Sequence, residues 1–79
     1  MKKYCVYSTI IQAASNNVET TLLAAFDNID DAQIMLANLY EKNRFSADIR
    51  DAFFDGKVLT MFNTAANCYS NYKIKEIEN

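Results

Sequence analysis

Residues 26–43, FDNIDDAQIMLANLYEKN, are the one long stretch of this chain whose apolar side chains keep a helical period. From Ile29 they recur at Ala32, Met35, Leu36, Leu39 and Tyr40. At about 100° per residue these gather into a single stripe wide enough to cover a sheet. Asn28 stands where an N-cap acceptor belongs, and Asp31, three residues on, occupies the capping-box position. Asp27, Asp30 and Asp31 set negative charge against the positive end of the helix dipole, and Lys42 and Arg44 suit the other end. The helix is expected to end around residues 42–44, where Asn43 tolerates a left-handed C-cap conformation.

The flanking segments are built for a sheet. Residues 3–13 are mainly β-branched and aromatic, with Tyr4, Val6 and Ile10 on one face and Cys5, Tyr7 and Ile11 on the other. Apolar groups on both faces predict a central strand. The turn formers Ala14, Ser15, Asn16 and Asn17 interrupt it. Residues 18–26 then resume, with Val18, Leu22, Ala24 and Phe26 in one register and Glu19, Thr21, Leu23 and Ala25 in the other, so the two runs predict a hairpin. Phe26 is placed to pack beneath the first turn of the helix.

Downstream, Asp55-Gly56 between residues 49–54 and 57–62 has the composition of a two-residue type I′ turn. That hairpin puts Ile49, Asp51 and Phe53 on one face and Arg50, Ala52 and Phe54 on the other. The competing arrangement is a short helix capped by Ser46 and ended by Gly56. Residues 64–71 suggest a loop or one helical turn. Residues 72–77, with Lys73, Lys75 and Glu76 among Tyr72 and Ile74, suggest a short final strand at an exposed edge.

The fold expected is α+β and two-layered: a mostly antiparallel sheet of four to five strands, in the order β-β-α-β-β-β, with the amphipathic helix on one face. Residues 1–79 make a single domain, near the size at which one core is barely sufficient. Tyr7, Ile11, Leu23, Phe54 and Leu59 give the sheet more apolar surface than one helix covers, and exposed patches of that kind mark association surfaces.

Composition excludes most chemistry. The chain has no histidine, one glycine and no proline. Ser-His and Cys-His nucleophile pairs, an imidazole base and a Cys/His zinc site are therefore unavailable. A Gly-rich phosphate loop or dinucleotide fingerprint cannot be written either. No catalytic residue, metal or cofactor is expected. Asp27, Asp30 and Asp31 are better explained as helix-start charges than as metal ligands. Asp48 and Asp51 are set on opposite faces by strand alternation, and Asp55 is better used in the turn than as an acid or base.

The start of the chain is basic, but its apolar run is broken by Ser8, Thr9 and Gln12, so it reads as a strand rather than a signal peptide. With no apolar window of membrane-spanning length, a cytoplasmic location without membrane contact is expected, with Cys5 and Cys68 reduced. Nine asparagines, with many Lys, Ile, Tyr and Phe, fit an AT-rich genome such as that of a bacteriophage or a low-GC bacterium.

Two surfaces remain as candidates. Ile34 lies about 200° around the helix from Ala32, on the outer face. With Asp30, Asn38 and Glu41 it forms a candidate partner-binding patch. The second set combines aromatic and basic residues: Lys2, Lys3, Tyr4, Tyr72, Lys73 and Lys75 would form one basic edge suited to nucleic acid if the first and last strands are neighbours. The leading expectation is a small protein–protein interaction module without catalysis, for a phage accessory protein one that inhibits or redirects a host defence protein. A small nucleic-acid-binding domain and a self-assembling protein such as a homodimer are the alternatives.

Overall fold

The computed structural model describes residues 1–78. In chain order the elements are β1 (Lys2–Gln12), β2 (Val18–Phe26), α1 (Ile29–Asn43), β3 (Ile49–Phe54), β4 (Val58–Asn63) and β5 (Cys68–Glu78). The strands form one antiparallel sheet in the order β2-β1-β5-β4-β3, with α1 packed on one face. The two-layer α+β architecture follows from short connections: two hairpins flank the helix, and the last strand fills the gap between them. β5 pairs with β1 along its whole length, from Lys2 opposite Glu78 to Gln12 opposite Cys68.

The helix forms as its sequence dictates. Asn28 is extended (φ −136°, ψ 156°), and its side-chain oxygen accepts from the Asp31 backbone N–H at 2.9 Å. Its amide group donates to the Asp31 carboxylate at 3.0 Å, closing a reciprocal cap. The stripe then does what its spacing predicts. Ala32 and Leu36 are fully buried with Val6 of β1, and Met35, Leu39, Tyr4, Phe26, Phe54, Tyr72 and Ile74 pack around that centre. A second part of the buried core, Leu59, Met61 and Cys68, lies on the same face of β4 and β5. Phe54 and Leu59, opposite one another in the ladder, therefore belong to the covered face.

Several local expectations are corrected. Asn43 is helical rather than left-handed: its amide donates to the Leu39 carbonyl at 2.8 Å, and Arg44, the C-cap, keeps right-handed φ (−62°). The left-handed residues are Asn16, Asp51, Asn67 and Gly56, at turns and a bulge where a short polar side chain or no side chain limits the steric cost. The β3–β4 hairpin forms, so the short-helix alternative fails. Its loop, however, is Gly56-Lys57 with positive φ at Gly56 alone (99°), the φ pattern of a II′ rather than a I′ turn. Asp55 is displaced to the closing position, where its carboxylate accepts from the N–H groups of Lys57 and Val58, each at 2.9 Å.

The larger corrections concern register. In β2 the ladder shifts between Val6 and Tyr7, so that Ala24 opposes Val6, Leu22 opposes Tyr7, and Leu23 is the extra residue. Ala24 and Phe26 stay on the helix side, whereas Val18 and Leu22, expected with them, turn to the other face. A second irregularity between Arg50 and Phe53 places Asp51 at φ 57° and brings Arg50 and Phe53 together on the uncovered face. Finally, β5 begins at Cys68 rather than Tyr72 and lies at the centre of the sheet, not at an edge.

Candidate functional site

The uncovered sheet face is set out by the ladder in rows that cross the strands. One row runs Val18, Ile11, Tyr69, Phe62 and Arg50 from β2 to β3. The next runs Thr20, Thr9, Asn71, Thr60 and Phe53, and the third Leu22, Tyr7, Lys73 and Val58. Beyond these lie Cys5 with Lys75, then Lys3 with Ile77. Neighbouring strands stand about 4.8 Å apart, and rows two residues apart are separated by about 6.7 Å.

Each row has its own chemistry. In the first, the Phe62 and Tyr69 rings pack at 4.6 Å between centroids, and the Arg50 guanidinium sits 5.2 Å from the centre of Phe62. In the second, the hydroxyls of Thr9 and Thr20 meet at 3.2 Å, and the Asn71 amide donates to the Thr60 hydroxyl at 3.1 Å. In the third, Lys73 lies beside Tyr7, and together with Thr9, Thr20 and Lys75 they line a surface depression. Phe53 is 61% exposed and Tyr69 48%, both large for aromatic side chains.

Charge is distributed unevenly between the two sides of the sheet. By register Lys3, Lys73 and Lys75 project from β1 and β5 onto the uncovered face and Arg50 joins them from β3, while Glu19, Glu76 and Glu78 project to the helix side. Asp30, Asp31 and Glu41 are exposed on α1 itself. Lys3 is paired with Asp27 at the corner of the sheet, and Arg50 lies 3.8 Å from the exposed Asp51. Lys73 and Lys75 have no ion-pair partner among the described residues.

The aromatic and basic set predicted from sequence is thus divided. Lys3, Lys73 and Lys75 come together, but at the middle and one end of the uncovered face rather than along an edge. Lys2, Tyr4 and Tyr72 point to the helix side: Lys2 pairs with Glu76 at 3.4 Å, the Tyr4 hydroxyl donates to the same carboxylate at 3.2 Å, and Tyr72 packs in the core. Tyr69, Asn71 and Phe62 were not anticipated. For Tyr69 and Asn71 the signal was present in the alternation of residues 68–75, which continues backwards from Tyr72 through Ser70 to Cys68 and leaves Tyr69, Asn71, Lys73 and Lys75 on the opposite face.

The helix patch is formed as the periodicity predicts. Ile34 is 56% exposed, and Asp30, Asn38 and Glu41 are exposed beside it. Ile34 stands between two depressions, one reaching Met35, Leu39 and Lys42, the other Gln33, Ala37 and Phe54. Glu41 is engaged with Arg44 at 3.4 Å, and the Arg44 guanidinium covers Phe45 at 4.4 Å.

Among the described residues, no group of three His, Cys, Asp or Glu side chains stands close enough to hold a metal ion. Among the same described residues, no helix is long and apolar enough to cross a membrane. No protein-family model, curated protein or solved structure matches this chain.

Proposed function

We propose that this chain is a non-enzymatic binding module that holds an anionic macromolecule against its uncovered sheet face. The carrying observation is the pair Lys73 and Lys75, without an ion-pair partner on the central strand of a protein whose net charge is −2. An acidic protein whose strand glutamates project to the helix side, while Lys3, Lys73, Lys75 and Arg50 project to the other, presents there a local field opposite in sign to its total charge. The module acts in a cytoplasmic setting, where its two thiols stay reduced.

Retention on immobilised heparin, a generic polyanion, tests this. The wild type is expected to bind at low salt despite a pI of about 4.9, and Lys73→Glu/Lys75→Glu to pass through. Equal behaviour of the two proteins, whether retained or not, rejects the reading.

The Ile34 patch supports a second reading, a partner protein docked on the outer face of α1, which for a phage accessory protein would be a host defence component. The specific observation is a half-exposed aliphatic residue bordered by depressions on both sides. A host protein recovered with wild type and lost with Ile34→Glu supports it, and unchanged recovery removes it.

A further inference from the structure

We infer that the anionic partner of the uncovered face is single-stranded nucleic acid, with bases stacked on Tyr69 and Phe53 and phosphates passing Lys73 and Lys75. The inference rests on the binding-module reading above and adds the chemical class of the partner.

Three observations favour nucleic acid over an acidic protein. First, charge stands at the middle of the face, where a protein interface is depleted of it: the unpaired Lys73 and Lys75 sit on β5, the middle strand, beside the ring of Tyr69 on the same strand. Second, rings and cations are interleaved. Along β5 the uncovered positions run Tyr69, Asn71, Lys73, Lys75, and across the sheet Lys73 neighbours Tyr7 while Arg50 lies over Phe62. A flexible strand lying along β5 meets a ring, an amide and two ammonium groups in turn, matching the base-stacking platform and basic track that sequence-tolerant binders combine. Third, the row that ends in Phe53 and runs between Tyr69 and Lys73 carries the hydroxyls of Thr20, Thr9 and Thr60 and the amide of Asn71, groups able to meet base edges.

Two phosphate contacts predict a modest salt dependence. With a slope of about −0.7 per phosphate for single strands, affinity should fall about seven-fold between 50 and 200 mM salt. Loss of one stacked base should weaken binding about five-fold or more.

The test is fluorescence anisotropy of labelled dT20 and U20 with the full chain, competed by an abasic deoxyribose-phosphate oligomer of equal length and by polyglutamate. The expected result is tighter binding of dT20 or U20 than of the abasic oligomer, by at least about five-fold, an advantage that Tyr69→Ala and Phe53→Ala each reduce. The stronger of the two arms names DNA or RNA. Phe53 lies on an outer strand, and the abasic competitor needs no variant, so a folding defect in Tyr69→Ala leaves the test intact. Equal binding of dT20 and the abasic oligomer overturns the inference. Displacement by polyglutamate in preference to dT20 overturns it in favour of an acidic protein. In either case continued heparin retention, lost in Lys73→Glu/Lys75→Glu, leaves the binding-module reading standing.

Discussion

Asp55 shows how one side chain can serve a turn through its charge. Two backbone N–H groups donate to its carboxylate, from Lys57 first and Val58 second, and they hold its pKa below the ordinary aspartate value. A depressed folded-state pKa stabilises the fold above the ordinary value, about 3.9, and this contribution is lost as pH falls through that value and then through the folded one. Wild type should therefore unfold at higher urea than Asp55→Asn at pH 7, with the gap closing as pH falls toward 3. A gap independent of pH would show that the charge plays no part. At the core the scale is larger. Leu36 is fully buried beside Val6 and Ala32, so Leu36→Ala should cost about 2–5 kcal/mol. That is comparable to the whole stability of a core this small, at most about 3–5 kcal/mol, so thermal melting by circular dichroism should find little folded protein at 37 °C. Ile34→Ala, on the exposed face, should change stability by no more than about 0.5 kcal/mol.

At the scale of elements, α1 was legible because cap, charge and stripe all point the same way, and each depends only on residues within a turn or two. β2 was not. Alternation assigns Val18, Leu22, Ala24 and Phe26 to one face, but the extra residue Leu23 sends the first two to the opposite side. A period of two cannot reveal an inserted residue, because the strand reads as regular on either side of it. Deleting Leu23 should remove the bulge and leave every pair in place: Ala24 opposite Val6, Leu22 opposite Tyr7, Thr20 opposite Thr9. Cross-strand NOEs in the deletion variant provide the check, and pairs displaced by one residue would contradict it. β5 was half legible: its apolar and charged alternation announced a strand, but its lysines suggested an edge. The charges of β5 are tolerated at the sheet centre because nothing covers that face.

For the whole molecule, the order β2-β1-β5-β4-β3 settles relationships that no local pattern carries. Cys5 opposes Lys75 and Cys68 opposes Gln12, seven positions apart along the β1–β5 ladder. They are separated by roughly 23 Å at about 3.3 Å per residue, far beyond the roughly 4.4–6.8 Å between Cα atoms that a disulfide requires. Both are free and buried. Thiol titration after denaturation should count two thiols per chain with or without prior reduction, and the melting temperature should not respond to reductant. An increase in thiol count after reduction would refute the topology. The same order gathers Lys73, Lys75, Tyr69, Phe62 and Phe53 from distant positions onto one surface, the uncovered face.

By itself the sequence determined what short-range physics determines: the start and buried stripe of α1, the identity of most strands as strands, and the lack of histidine and of a glycine-rich loop that removes the usual catalytic equipment. Tertiary structure alone decided which strand sits beside which and which face each side chain meets. A strand's hydrogen-bonding edge accepts several partners, and a single bulge inverts everything beyond it. The gathering of Lys3, Lys73, Lys75 and Arg50 on the face opposite the strand glutamates is therefore a property of the pairing, visible only once the last strand has taken its place between the two hairpins.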